Sequence, residues 1–580
     1  MPPHLSPDFD PTSLTHVEPV VQELLTREVR GAHAFGAWVA DRSELGAALS
    51  EGRARLYIAM TCNTDDQEAV RAYASYVEHV SPRVTQIAFE LDRKLVSLAE
   101  APGHAEARLA VLVRNARADV EIFREQNIPL ETELAQLSQR YDEVLGAMMV
   151  TFDGSEQTLP QMARYQERTD RSVREASWRA VAERRRQDHE AISTVYDRMI
   201  ALRHRIARNA GFRDYVGYAF RSMHRFDYGP EVCLRFHEGV ESAIVPLVRA
   251  IHRERASMLG VDELRPWDLT VDPKGREPLK PFSGGADLVR RTRAVFRRLD
   301  ADLAEMFGSL GEGDGRIRRA SDAGVVCLDL DSRKGKAPGG YQYMLDRSNK
   351  PFIFMNAAGM NRDVETMVHE AGHAFHSMLC AHEPLVEYRH SPTEFAEVAS
   401  MSMELLTMNH LGGADAFYAS PEDHARARRE QLERAIAILP WIATIDAFQH
   451  WVYANPGHTR EDRAACWRAL DARFGGGASW RGLEHHRDIT TWQKQLHLFS
   501  HPFYYIEYGI AQLGALELWL HSTEQGEASA LERYKRALAL GGSRPLPELF
   551  SAAGIQFDFG PQTLSRLAAR VHAELESLPS

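Results

Sequence analysis

The chain has 580 residues and 44% apolar content, and its 69 basic and 81 acidic side chains leave a formal net charge of −12. That length exceeds one simple core and predicts two or more lobes, while the acidic balance excludes a dedicated nucleic-acid binder, which would carry a basic surplus. Five cysteines, Cys62, Cys233, Cys327, Cys380 and Cys466, are odd in number and far apart, so they make neither a disulfide framework nor a C-x-x-C metal site, and a reduced, cytoplasmic protein is expected.

Residues 1–17 carry prolines and acids instead of a basic start and an apolar segment, so no secretory signal is expected. Amphipathic helical periodicity then covers residues 19–40, 69–98 and 111–145, with a break at Pro129. Residues 161–209 are Arg-rich, but Asp170, Glu175, Glu183, Asp188 and Glu190 are interleaved with Arg184-Arg185-Arg186. A salt-bridged, solvated helix face is expected there. Another helical stretch, 228–259, is interrupted at Pro246; residues 264–280 read as loop and 284–308 as helix.

The pattern changes at Gly324–Leu330 and again at Pro351–Met355, where short β-like runs predict a small sheet. Between them lies Gly335-Lys336-Ala337-Pro338-Gly339-Gly340-Tyr341. This is not a phosphate-binding P-loop, because Ala337 stands where Ser or Thr is needed. Helices resume from Ser391. The longest apolar run, 435–445, is about half a membrane span and holds Pro440 and Thr444, so a buried helix is expected and no membrane association.

Just after the sheet comes His369-Glu370-Ala371-Gly372-His373-Ala374-Phe375-His376. Here H-E-x-x-H follows the acids Asp363 and Glu365, which suit a first helical turn. Val364, Met367, Val368, Ala371, Ala374, Phe375, Met378 and Leu379 form one helical stripe. At about 100° per residue, His369, His373 and His376 fall opposite it. Two imidazoles one turn apart suit a zinc ion, and the neighbouring Glu370 suits a general base. A third ligand is required. His376 stands about 10 Å from His369 along the same helix, so a role behind the ligands, facing substrate, or at the surface suits it better.

Ser391-Pro392-Thr393-Glu394 predicts a helix start, with Ser391 as N-cap and Glu394 completing a capping box. Glu397, one turn on and 28 positions after His369, is then free to act as a ligand. Glu404, on the same face, could orient a ligand histidine or make a surface salt bridge. Far downstream, residues 497–509 concentrate His497, His501, Tyr504, Tyr505 and Tyr508. Their spacing reads either as an aromatic core helix or as a set of donors for an oxyanion.

Four blocks resemble the M3 family of zinc metallopeptidases, in its oligoendopeptidase F and Pz-peptidase branch. They are Gly335–Tyr341, His369–His376, Phe395-Ala396-Glu397-Val398-Ala399-Ser400 and the His497–Tyr508 stretch. Weaker likeness runs from about residue 110 onward. The resemblance implies a mainly α fold with two helical lobes around a deep substrate channel, and a zincin-like core with a small sheet beside the motif helix. It implies an N-terminal helical region at 1–110, a helical N-lobe segment at 111–195 and a catalytic domain at 196–575. It further implies one zinc ion on His369, His373 and Glu397, with Glu370 as base, and with His497, Tyr505 and Tyr508 contacting the scissile carbonyl or substrate backbone. Gly339, Gly340, Tyr341 and Tyr504 would bind short, unstructured peptide substrates, cleaved internally. His501 departs from the family pattern. A metal-dependent carboxypeptidase on a similar scaffold and a non-catalytic peptide-binding relative are the alternatives; oligomeric state is not legible.

Overall fold

A computed structural model describes residues 4–104, 107–337 and 339–579, so Pro338 of the glycine-rich block lies outside the described residues. The protein is mainly α-helical, as the periodicity predicts, with five short strands among the described residues. The chain divides into two compact units, each assembled from three stretches. The first comprises 1–121, 279–428 and 514–557; the second comprises 122–278, 429–513 and 558–580.

In the first unit, the 32-residue helix Gly31–Cys62 turns Ala54, Ile58, Ala59 and Cys62 onto Leu345, Phe352 and Phe354. Those apolar residues belong to a three-stranded sheet of β3 (Leu328–Asp331), β4 (Tyr341–Leu345) and β5 (Lys350–Ala357), in spatial order β3-β5-β4. Strand β5 runs parallel to β3, with Leu328 beside Ile353, and antiparallel to β4, with Tyr341 beside Phe354. Residues 351–355 of β5 are all buried. A strand with both faces covered reads as a continuous apolar run, which is the signal at 351–355. Strand β4 is an edge, paired on one side only among the described residues. Lys336 clips the sheet from below. Its Nζ lies 2.9 Å from an Asp329 carboxylate oxygen, donates to the Asp329, Asp331 and Met355 carbonyls, and sits 4.4 Å from the Phe354 ring centre.

The motif helix Asn361–Cys380 follows β5 directly and packs along it. The Asp363 carboxylate accepts the Ala358 and Met360 N–H groups at 2.8 and 2.9 Å, so the predicted first-turn acid closes the helix N-terminus. The partner helix, Thr393–Leu406, lies against the motif helix. Its start differs from the predicted one. Pro392, in an extended conformation, precedes the helix with no side-chain cap, and the Ser391 hydroxyl donates to the Pro392 carbonyl at 3.2 Å. The helix begins one residue later than the capping-box spacing requires, and Glu394 is buried.

In the second unit the Arg-rich stretch forms two helices, Arg171–Gln187 and His189–Asn209, which divide at Asp188. Glu175–Arg179, Glu183–Arg186 and Arg184–Asp188 pair along the first, as the interleaved charges predict. The sequence reading missed the hairpin of β1 (Met149–Phe152) and β2 (Ser155–Thr158). Its turn is Asp153-Gly154, with φ of 52° and 74°. Asp-Gly between short runs is the signal that would have found it. The apolar run at 435–445 lies in helix Pro421–Ala454, which is long and apolar enough to cross a membrane. However, 67% of its most apolar window is buried within the protein, as in a core helix. The boundary between the units falls within this helix and within helix Tyr505–Gln525. All five cysteines are free thiols.

Candidate metal centre

The motif and partner helices approach closely because Gly372 has no side chain. A Cβ there would stand 2.7 Å from the Ala399 carbonyl oxygen and 2.7 Å from Ser400 Cα, both backbone atoms that cannot swing aside. The glycine inside H-E-A-G-H therefore permits the helix contact that brings Glu397 to the histidines. Glu397 Oε2 lies 3.6 Å from His369 Nε2 and 3.6 Å from His373 Nε2. The three donor atoms are all within 4.8 Å of one another. The Ser400 hydroxyl donates to the same Glu397 oxygen at 3.0 Å. Tyr534 donates to the Ala399 carbonyl at 2.8 Å, tying down the turn of helix that carries the ligand.

Glu404 settles the orientation of His369. Its carboxylate lies 2.7 Å from His369 Nδ1. A carboxylate accepts only, so Nδ1 carries a proton and Nε2 is the nitrogen left facing Glu397. This is the contact that the orienting role weighed for Glu404 from sequence requires. Burial alone would lower the His369 pKa. The Glu404 hydrogen bond and the charges of Glu404, Glu397 and Glu370 outweigh it and hold the imidazole at about 9. Desolvation of the half-buried His373, with weaker compensation from Glu397, pushes it down to about 4. Two imidazole nitrogens and a carboxylate oxygen converging on one point fit a divalent cation of the zinc type.

Glu370 points the other way from its neighbouring histidine, toward the sheet edge. Burial, with the charges of Glu397 and Glu404, pushes its carboxyl up to about 7 against the opposing His369 charge. A Cβ on Gly340 would lie 3.8 Å from Glu370 Oε1, so the glycine before β4 passes close to the carboxylate. Gly340 is exposed, and Gly339, at φ 98°, is held through its carbonyl by the Asn356 amide at 2.9 Å. Tyr341 stands at the start of this edge strand with its side chain turned into the sheet. Its ring stacks on Phe354 at 4.7 Å and its hydroxyl lies 2.6 Å from the Thr61 hydroxyl, so the side chain is committed to the sheet. What Tyr341 presents at the edge is its main chain.

His376 is not at the surface. It is 5% exposed, packs edge-on against Phe395, and its pKa is pushed down to about 3 by burial. Met378 and Leu379, placed in the apolar stripe, are only half-buried. The motif helix is covered on more sides than one stripe allows, because the partner helix takes the face that the periodicity left to chemistry.

The downstream residues gather in the second unit. The His497 ring lies 5.6 Å from Tyr504, 5.0 Å from Tyr505 and 5.8 Å from Tyr508. His497, Tyr504 and Tyr508 are half-buried and Tyr505 is buried, at the start of a helix, Tyr505–Gln525, whose following turns are core. His501 is exposed and lies 6.2 Å from Tyr504. Distant residues hold the cluster. Buried Arg203 donates to Tyr453 at 2.7 Å and to the Leu498 and Phe499 carbonyls, closing the end of the short helix Leu496–Ser500. Buried Arg225 donates to the Phe503 carbonyl and to Glu507 at 2.6 and 2.7 Å. The Gln449 side chain accepts the Phe503 N–H at 2.6 Å, and Phe503 is held at φ 67°.

A relay fixes the protonation of His497. The Trp441 indole N–H can only donate, and it lies 3.1 Å from the Gln495 side-chain oxygen. The Gln495 amide nitrogen therefore faces the other way, 2.8 Å from His497 Nδ1. Nδ1 must accept, so the neutral imidazole carries its proton on Nε2 and is a donor there. Sequence reasoning missed Gln495, Trp441, Ser400 and Gly372, since none carries a charge or a metal-binding atom.

The chain matches peptidase family M3 over residues 164–283 and 318–568, more than half its length. It is 25% identical to oligopeptidase A of Escherichia coli (strain K12), over 32% of this chain and 33% of that protein, so the match spans about a third of this curated relative. Among solved structures, it is similar to a protein provisionally assigned as an oligoendopeptidase F, with TM-score 0.88 and 26% identity over 98% of this chain and 97% of the other. It is equally similar to Pz peptidase A with an inhibitor, with TM-score 0.88 and 25% identity over 98% of both chains.

Proposed function

The chain belongs to peptidase family M3, and on that premise we propose that it is a zinc-dependent endopeptidase that cleaves internal bonds of short, unstructured peptides. The observation that carries this reading is the convergence of His369, His373 and Glu397 beside Glu370. The donor set suits one zinc ion per chain, and such an ion, when bound, would activate water and polarise the scissile carbonyl.

The protein's own groups supply the rest. Glu404 holds His369 with Nε2 facing Glu397, and Ser400 holds the Glu397 oxygen. Glu370, raised toward neutrality by burial, takes the proton of the attacking water and passes it to the leaving amine. The open edge of β4, entered through Gly339 and Gly340, offers main-chain groups to an extended peptide. By the family resemblance, His497 through Nε2–H and the Tyr505 and Tyr508 hydroxyls would serve the substrate carbonyl and backbone, with Tyr504 beside them. A cytoplasmic setting is supported by five free cysteines.

The test is mass spectrometry of a short unstructured peptide incubated with zinc-loaded protein, with and without chelator. Internal cleavage abolished by chelator is the expected result. Stepwise release of C-terminal residues would replace the reading with a carboxypeptidase, and intact peptide across a library would leave a peptide-binding relative.

A further inference from the structure

The second unit contains another convergence of metal-binding side chains, independent of the peptidase reading. Helix Pro230–Gly239 presents Cys233 and His237 one turn apart. Helix Pro421–Ala454 presents Asp446 and His450 at the same spacing. Residues four apart share a helix face, so each helix turns a pair of donors one way, and the two pairs meet. The Cys233 sulfur, an Asp446 carboxylate oxygen and a His450 ring nitrogen all lie within 4.8 Å of one another. His237 Nε2 is 2.9 Å from Asp446 Oδ2, and His450 Nε2 is 3.4 Å from the same oxygen.

The place is buried except at the half-buried His450. Cys233 and Asp446 are 0% exposed and His237 is 1% exposed. Aromatic rings wall it: Phe474 meets His237 edge-on at 6.1 Å, and Phe503 meets His450 at 5.1 Å. Within this shell the polar groups are incompletely satisfied. Asp446 Oδ1 and His237 Nδ1 have no hydrogen-bond partner, and His450 Nε2 has only its long ion-pair approach to Asp446 Oδ2. An orphaned oxygen on a fully buried carboxylate is costly, and buried polar networks are stable only when complete. A dication would complete this one, balancing a thiolate and a carboxylate with no net charge left in the core. Sulfur, nitrogen and a single carboxylate select a zinc-type ion over magnesium or calcium, which take all-oxygen shells.

We propose that Cys233, Asp446 and His450 bind a second, structural divalent cation of the zinc type, with His237 holding Asp446 in place. The ion ties two helices that are far apart in the chain, so its binding energy is folding energy for the second unit. The competing arrangement is a proton-only network, in which the thiol stays neutral and an imidazolium neutralises Asp446.

Sulfur separates the two sites, because the set of His369, His373 and Glu397 has none. Wild-type protein saturated with zinc and freed of excess should hold two metal equivalents per chain. Cobalt-substituted protein should show a thiolate-to-cobalt charge-transfer band. In C233S the band should disappear and the count fall to one, with chelator-sensitive peptide hydrolysis retained. E397A should lose one equivalent and keep the band. One equivalent and no band in the wild type would overturn the proposal without any variant, as would a band that persists in C233S. Should C233S fail to fold, the wild-type count and band together with E397A decide the question. Failure of the peptidase reading would show separately, as a lack of hydrolysis in a protein that still binds two ions.

Discussion

The motif-helix pair of the first unit and the His497 cluster of the second each carry a short sequence signature, but they are built in opposite ways. In the first, nearly everything that shapes the donor set lies within two adjacent helices: the ligands, Gly372 that lets the helices touch, Ser400 and Glu404 that aim the ligands. In the second, the donors sit on a bend whose geometry is imposed by Arg203, Arg225, Trp441 and Gln449, tens to hundreds of residues away in the chain. A site with local supports can be read from one block of sequence. A site with remote supports can be recognised only by its end groups.

The sharpest way to test that contrast is to remove chemistry while leaving the supports. Glu370→Gln keeps the shape of the first site and removes its base; turnover should fall about 10³-fold with metal content unchanged, as read by kcat and metal analysis. Tyr508→Phe should lower kcat about 10²-fold if this hydroxyl meets the developing oxyanion; an unchanged kcat assigns that role to Tyr505. Removing a local support should act on metal instead of chemistry. Glu404→Ala frees His369 to rotate and should weaken metal affinity about 10- to 100-fold in a competition titration. Gly372→Ala forces a methyl against backbone and should cost about 1–3 kcal/mol of stability by denaturant unfolding, with metal affinity reduced as well. The smallest effect is expected where a remote support, Trp441, acts through Gln495. Gln495→Glu accepts from both Trp441 and His497, so His497 must carry a proton on Nδ1. We expect a fall in kcat of about 10-fold with KM nearly unchanged, and a changed imidazole nitrogen pattern in the NMR spectrum of nitrogen-labelled protein.

The helical class and the sheet beside the motif helix were legible because both rest on periodicity: apolar stripes for the helices, an unbroken apolar run for β5. The metal motif and the face of Glu397 were legible for the same reason, one turn being about four residues. What escaped depends on tertiary packing. The partner helix covers the side of the motif helix that an amphipathic reading assigns to solvent, which buries His376. The Gly339-Gly340-Tyr341 block reads as a strand edge, but the motif does not tell where the Tyr341 side chain goes; alternation along β4 sends its ring to Phe354 and Thr61. The capping box at Ser391 failed by one residue, within the usual slack of helix ends. Gln495 was invisible because its function is relational: it matters only because a donor-only indole stands on its far side.

The open edge of β4 has a consequence for which peptides would survive in the presence of this protein. An edge strand grips backbone and leaves side chains free, so five residues of edge impose little preference for amino-acid type. They do impose one for proline, which has no N–H to give. Among peptides of equal length and composition, those with proline at a position that must donate to the β4 carbonyls should persist longest, and moving that proline by one residue, to the alternate register, should restore their decay.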